Sequence, residues 1–284
     1  MSENCSLFAM TPSQLCQILS LDKAFQGVQV YSWLVKGVSS FDQMTNLPKE
    51  LRARLQEKYG SFWSSVIISE EKDSDGAKKL ALQLYDGAII DCVLLTDKEG
   101  ELTACLSSQV GCAMGCKFCR TGTLKLERNL EASEIVEQFM HLQNVAQGKI
   151  GHVVYMGMGE PFAKLENVIT SISFLHDPKG LNISHRRITI STCGVVPGII
   201  ELSKRDIPVK LAVSIVVAND QKRNSLMPIN RAYPLSQLRN ALVGFQKVSG
   251  RRFTLEYCMI KGMNISEEDG DNLAHFAKNL EVIV

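Results

Sequence analysis

The sequence predicts an α/β protein: a parallel sheet with covering helices, open or closed into a partial barrel, preceded by a helical region and a small β segment. Three observations lead there. From about residue 102 onward, strand-like and helix-like runs alternate five times, the pattern of βα units. Residues 64–95 are instead β-prone, with a tight-turn pair between two of the runs. Residues 1 to about 60 carry helix starts and helical spacing. The 284 residues suffice for one large domain or for a main domain with a small accessory one, and 45% apolar with 21% charged residues is a globular balance.

In chain order, Thr11-Pro12-Ser13 reads as a cap and first turn leading into Gln14–Leu19. Val28–Val35 has apolar residues at helical spacing, and Asn46-Leu47-Pro48 starts a helix that places Leu51, Leu55 and Tyr59 on one face. Val66–Ser69, Lys79–Tyr85 and Ala88–Leu95 are strands, with Asp86-Gly87 turning between the last two. The expected strands of the βα region are Leu102–Val110, His152–Met158, Arg187–Cys193, Lys210–Val216 and Phe253–Ile260. The expected helices are Ala132–Val145, Leu165–Leu175, Gly198–Lys204, Leu235–Val248 and Glu267–Leu280. Glu281-Val282-Ile283-Val284 opens a sixth strand. A short edge strand and a truncated chain are both open readings. Truncation is preferred, because a parallel strand normally runs about 5–6 residues. The expected organisation is a helical domain over residues 1–63, a β linker over 64–100 and a main body over 101–284.

Lys and Arg total 31 against 30 for Asp and Glu, so the net charge of +1 excludes nucleic-acid binding by overall charge and leaves only a local basic face. No apolar run reaches the roughly 18 residues of a membrane span. The start, MSENCSLFAM, lacks a secretory layout, and the expected compartment is the cytoplasm.

Nine cysteines, an odd number without a leader, argue against a disulfide framework. Three of them form C-x3-C-x2-C: Cys112, Cys116 and Cys119, in the loop after the first strand of the βα region. Such loops carry the chemistry of barrels and open α/β sheets. Thiolates suit iron–sulfur clusters, zinc or copper(I). A structural zinc site usually closes with a fourth ligand at short spacing, and none lies nearby. A four-iron cluster on three thiolates keeps one iron open. The other readings are zinc with a remote fourth ligand and three free buried cysteines.

The triad, Cys105-Leu106-Ser107-Ser108-Gln109-Val110-Gly111, Phe118-Cys119-Arg120-Thr121-Gly122, Met156-Gly157-Met158-Gly159-Glu160-Pro161 and Leu226-Met227-Pro228-Ile229-Asn230 together resemble the RlmN/Cfr family of radical S-adenosylmethionine RNA methyltransferases. The likeness runs from Tyr31-Ser32-Trp33-Leu34 to residue 284. It implies a partial (βα)6-type radical-SAM barrel, incomplete at its last strand, behind the helical accessory domain and β segment. It also implies a 4Fe-4S cluster, S-adenosylmethionine and a 5′-deoxyadenosyl radical. The implied reaction is methylation of C2 of adenosine in ribosomal RNA and, in the RlmN branch, transfer RNA. The implied partners are those RNAs and an electron donor such as flavodoxin, with the protein a monomer.

Residue by residue, the resemblance implies Cys112, Cys116 and Cys119 as cluster ligands. Gly159, Glu160, Ser191, Ser214, Ile215 and Val216 are the implied cofactor contacts, with Gly159 admitting close approach and Glu160 offering a carboxylate to the cofactor's amino group. Asp91 is the implied proton acceptor, where the family carries Glu; its reach is shorter by one methylene. Cys105 is the implied thiol that resolves a covalent protein–RNA intermediate. Val216 stands where the family has His, so an imidazole has become an isopropyl group. The family's methylated cysteine lies in a Cys-Gly-Gln-Leu context that is absent here, which predicts that the chain lacks the methyl-carrying step. Cys193 and Cys258 are poor substitutes, and Cys5, Cys16 and Cys92 are assigned to packing. Lys117, Arg120, Lys125 and Arg128 are the candidate RNA-facing charges, whereas Arg186-Arg187 and Arg251-Arg252 precede strands at the opposite end. A non-catalytic remnant that binds cluster and RNA is the alternative reading, motivated by Val216, Asp91 and the missing cysteine.

Overall fold

The computed structural model describes residues 6–284; Cys5 lies outside them. The helices are α1 (Pro12–Ile18), α2 (Ala24–Leu34), α3 (Lys49–Tyr59), α4 (Ala132–Val145), α5 (Leu165–His176), α6 (Val196–Lys204), α7 (Asp220–Leu226), α8 (Leu235–Ser249) and α9 (Glu267–Ala277). The strands are β1 (Ser65–Lys72), β2 (Lys78–Leu84), β3 (Ile89–Thr96), β4 (Leu102–Cys105), β5 (Gln109–Val110), β6 (Arg128–Asn129), β7 (His152–Tyr155), β8 (Ile188–Thr192), β9 (Lys210–Ser214), β10 (Phe253–Glu256) and β11 (Val282–Ile283). Two units divide them. The first holds the chain up to Ser107 with Leu130–Val153 and Glu166–Ser184; the second holds Ser108–Asn129, Val154–Leu165 and His185–Val284. Among the described residues no helix is long and apolar enough to cross a membrane.

In the first unit, α1 begins as its sequence implies. Thr11 and Gln14 cap each other reciprocally and Pro12 opens the first turn. β1 to β4 form an antiparallel run in which Leu80, Leu82 and Leu84 of β2 are buried at alternate positions. β1 is an edge strand, and its register against β2 shifts between Ile67 and Ser69. The Asp86-Gly87 turn closes with Leu84 and Ala88 hydrogen-bonded at 2.8 Å.

Helix α4 buries polar side chains that an amphipathic pattern would leave in water, and each has a partner. Glu137 accepts from the Ser64 N–H, the Ser64 hydroxyl and the Ser65 hydroxyl. The Ser65 hydroxyl also lies 3.0 Å from His141 Nε2, and Trp63 stacks on that ring at 4.4 Å. Burial holds the His141 pKa down at about 4, opposed by its bond to Ser65. The unfolded chain therefore binds the proton more readily than the folded one. The stabilising contribution is complete above the ordinary histidine value near pH 6.5 and is lost as pH falls from there toward 4. Glu137, whose carboxyl burial pushes up, works in the opposite sense. The comparison with His141→Phe isolates the histidine: between pH 7 and pH 5 the wild type should lose about 2 kcal/mol more than the variant in urea titrations.

In the second unit, β8, β9, β10 and β11 are successive parallel neighbours, with Ser191 opposite Ala212, Glu256 opposite Ser214 and Phe253 opposite Val282. Within Glu281–Val284, only Val282–Ile283 forms a short parallel strand. α7 was not expected; Asn219 caps it by accepting from the Lys222 N–H at 3.1 Å. The single strand expected over Leu102–Val110 is broken. Ser107 leaves the ladder because its N–H and C=O pair with the Gln138 side chain. Both the Ser108 and Gln109 N–H groups donate to the Met158 carbonyl, and Gln109–Val110 then pairs with Arg128–Asn129 in a separate two-stranded sheet.

Candidate cluster and cofactor site

The cysteine loop leaves β5 through Gly111, whose φ is +75°, and a Cβ there would collide with the Lys125 carbonyl. The loop is thus pinned where β6 returns beside β5. Cys119 N–H bonds the Cys116 carbonyl at 3.1 Å, and Lys117 N–H bonds the Leu226 carbonyl at 2.9 Å. Cys116 is buried beside Val216, Val217, Leu226 and Met227. The three thiols line one open cavity of about 200 Å³, together with polar groups at the C-terminal ends of β8, β9 and β10.

Those strand-end groups are Ser191, Ser214 and Glu256. Both hydroxyls donate to Glu256 Oε2, at 3.1 and 3.2 Å. Glu256 was missed in the sequence, where Phe253–Ile260 reads as one strand; β10 stops at Glu256 and turns that side chain to the cavity. Gly159 also lines the cavity, at φ +103°, and a Cβ there would lie 2.6 Å from the Gln109 side chain. Glu160 follows, fully buried. Its N–H bonds Gln109 Oε1 at 2.9 Å, and its carboxylate accepts from the N–H groups of Cys193 (2.8 Å) and Phe162 (3.1 Å). Burial pushes this carboxyl up, and those donors oppose the shift. Glu160 is thus a locked wall group more than a mobile carboxylate.

Ile215 and Val216 are core residues, 0% and 1% exposed. Their N–H groups both donate to the Glu256 carbonyl. Buried Arg223 holds the Ser214 and Ile215 carbonyls, and buried Asn264 holds the Val216 carbonyl at 2.6 Å. Val216 has φ +59°. A β-branched side chain disfavours that left-handed backbone, and such strain costs about 1–3 kcal/mol. Val216→Gly relieves the strain while losing the burial; Val217→Gly at an ordinary φ only loses. In urea denaturation Val216→Gly should therefore cost about 1–3 kcal/mol less than Val217→Gly.

Asp91 and Cys105 belong to the first unit. Cys105 on β4 is opposite Val93 on β3, and residues two apart share a strand face, so Asp91, Val93 and Cys105 project to the same side. The Ser107 hydroxyl donates to the Asp91 carbonyl at 2.5 Å. Cys92 faces the other way and is buried; Cys16 is half-buried and points its thiol at the Leu21 carbonyl. Cys193 lines the cavity beside the triad, and Cys258 is exposed. Lys117, Arg120 and Lys125 are exposed around the cysteine loop, with Arg128 half-buried; Arg251 instead bonds the Ile207 and Val209 carbonyls.

The donor set suits a cluster. Among the described residues no group of three or more His, Cys, Asp or Glu side chains is placed to hold a single metal ion. The three thiols instead ring a cavity, as a four-iron cube requires. Burial and the neighbouring thiols push Cys116 up to about 11, so a cationic centre beside it would be needed to hold it as a thiolate.

Comparison with known proteins agrees. Residues 106–274 match the radical SAM superfamily and residues 7–59 match the ribosomal RNA large subunit methyltransferase N-terminal domain. The chain is 41% identical over 280 residues to the probable dual-specificity RNA methyltransferase RlmN of Treponema pallidum strain Nichols, covering 99% of this chain and 82% of that protein. It is 42% identical over 259 residues to the dual-specificity RNA methyltransferase RlmN of Geotalea uraniireducens, covering 90% and 74%. A crystal structure of a radical SAM methyltransferase from Sphaerobacter thermophilus superposes with a TM-score of 0.93 at 36% identity, covering 98% of this chain and 83% of that one. The thiol-lined cavity at the ends of parallel strands and these matches lead to one conclusion: the chain belongs to the RlmN family of radical SAM methyltransferases.

Proposed function

We propose that the protein methylates C2 of adenosine in ribosomal RNA, with transfer RNA as a second substrate. Cys112, Cys116 and Cys119 hold a 4Fe-4S cluster, and S-adenosylmethionine lies against Gly159, Glu160, Ser191 and Ser214, with Ile215 and Val216 in the core behind the cavity wall. The observation that carries this reading is a single cavity lined by three thiols and three polar strand ends. When bound, the reduced cluster supplies the electron that breaks a carbon–sulfur bond of the cofactor.

The chain's own residues do the rest. Gly159 lets the cofactor approach the backbone. Ser191 and Ser214, having donated to Glu256, keep oxygen lone pairs for ligand hydroxyl or ammonium groups. Ile215 and Val216, whose backbone groups are engaged internally, contribute shape and exclude water. Asp91 would accept a proton through its carboxylate, and the Cys105 thiol projects from the same strand face. Lys117, Arg120, Lys125 and Arg128 meet phosphates, and exposed Phe118 between the first two offers a face for base stacking. A flavodoxin-type donor supplies electrons, and the chain works as a cytoplasmic monomer.

The test is anaerobic reconstitution, iron and sulfide analysis, and assay for 5′-deoxyadenosine after dithionite and S-adenosylmethionine are added. Cofactor cleavage is the readout because it reports the cluster and the cofactor site directly. A protein that holds zinc alone, or a cluster that leaves the cofactor intact, overturns the reading. Gel shifts with an adenosine-containing ribosomal RNA fragment test the RNA arm.

A further inference from the structure

Arg223 is 1% exposed, yet every acceptor it bonds is neutral. Its Nε donates to the Ile215 carbonyl at 3.1 Å and Nη1 to Asn230 Oδ1 at 2.9 Å. Its Nη2 donates to the Cys193 carbonyl at 2.7 Å and the Ser214 carbonyl at 3.3 Å. The nearby carboxylate, Asp220, is spent elsewhere, accepting from Asn230 Nδ2 at 2.8 Å and the Leu235 N–H at 3.0 Å. A buried cation without a direct ion pair is costly.

Two of the carbonyls that Arg223 holds belong to Cys193 and Ser214, which line the cavity together with the three thiols, so its charge is fixed in the wall behind them. A four-iron cluster with three thiolates is a net anion that gains a further negative charge on reduction. Low-dielectric surroundings transmit the field of a fixed neighbouring cation with little screening.

We infer that Arg223 is a positioning residue that acts electrostatically. Its fixed buried charge, strapped to the ends of β8 and β9, favours the reduced state of a cluster held by Cys112, Cys116 and Cys119. The inference rests on the cluster reading above. The electron comes from an external reductant, and no bond forms or breaks at the arginine.

The test compares wild type, Arg223→Gln and Arg223→Lys after anaerobic reconstitution, by redox titration followed by electron paramagnetic resonance. Gln removes the charge and keeps a donor; Lys keeps the charge and loses the fork. The expected result is a reduction equilibrium about tenfold less favourable in Arg223→Gln, about 59 mV for a one-electron couple. Arg223→Lys should stay within about threefold of wild type, near 30 mV on the same scale. A purely structural strap predicts lower thermal stability in both variants with equal potentials, and that outcome overturns the inference. Equal losses of potential in Lys and Gln also overturn it. Where Arg223→Gln holds no cluster, Arg223→Lys decides: a potential near wild type supports the charge, and a tenfold loss overturns it. Failure of the wild type itself to hold iron and sulfide overturns the cluster reading instead, so the two failures are distinguishable.

Discussion

Cys116→Ala should abolish stable cluster incorporation while leaving the fold intact. Cys116 is the most buried thiol of the triad, packed between Val216, Val217 and Met227 on the inner side of the loop. Its backbone is fixed independently of the sulfur: its carbonyl receives the Cys119 N–H, and the next residue is tied to Leu226. Removing the sulfur deletes a ligand without releasing the loop, and the small void should cost about 1–2 kcal/mol. With two thiols left, iron and sulfide after reconstitution should fall to background. Circular dichroism should show an unchanged spectrum, and urea titration only the modest loss. Stoichiometric iron and sulfide in Cys116→Ala would remove this residue from the ligand set.

The second large effect lies in the first unit. Glu137→Ala should cost about 3–5 kcal/mol, because it strands donors that have no water to turn to. The Ser64 N–H, the Ser64 hydroxyl and the Ser65 hydroxyl converge on this carboxylate beneath helix α4. Glu137→Gln keeps the shape and one acceptor oxygen but brings two N–H donors into a site already full of donors. It should fall between wild type and Ala. Urea denaturation of the three proteins at neutral pH gives the order. Equal stability of Glu137→Ala and wild type would mean that solvent reaches these serines.

How much of this was readable from the sequence depends on the kind of interaction. Local periodicity placed α4 at Ala132–Val145 as expected, and Thr11-Pro12-Ser13 marked the start of α1. Cysteine spacing located the loop that carries the three thiols of the cavity. Long-range hydrogen bonds were invisible. The break at Ser107 depends on Gln138, thirty-one residues away, and on Met158, neither of which a strand propensity weighs. The polar face of α4 reads as solvent-facing in sequence, yet Glu137 and His141 are interior because Ser64 and Ser65 meet them there. Arg223 sits three residues before the Leu226–Asn230 motif, and nothing in its local sequence marks it as buried; four neutral acceptors surround it in the fold. The strain at Val216 is likewise silent in sequence: the identity change from His is visible, whereas the left-handed backbone that makes it costly is a property of the fold.

The irregular edge of the antiparallel run has its own outcome for self-association. β1 exposes Val66, Ile67 and Ile68 and then passes, through its slipped register, into Glu70, Glu71 and Lys72. Lys78 and Lys79 on the neighbouring strand pair with those two acids at 3.6 and 3.0 Å. An incoming extended segment from another molecule would find its first few residues welcomed by the aliphatic stretch. It would then lose step at the kink and meet a charged row. The strand thereby acts as its own gatekeeper against fibril-like stacking.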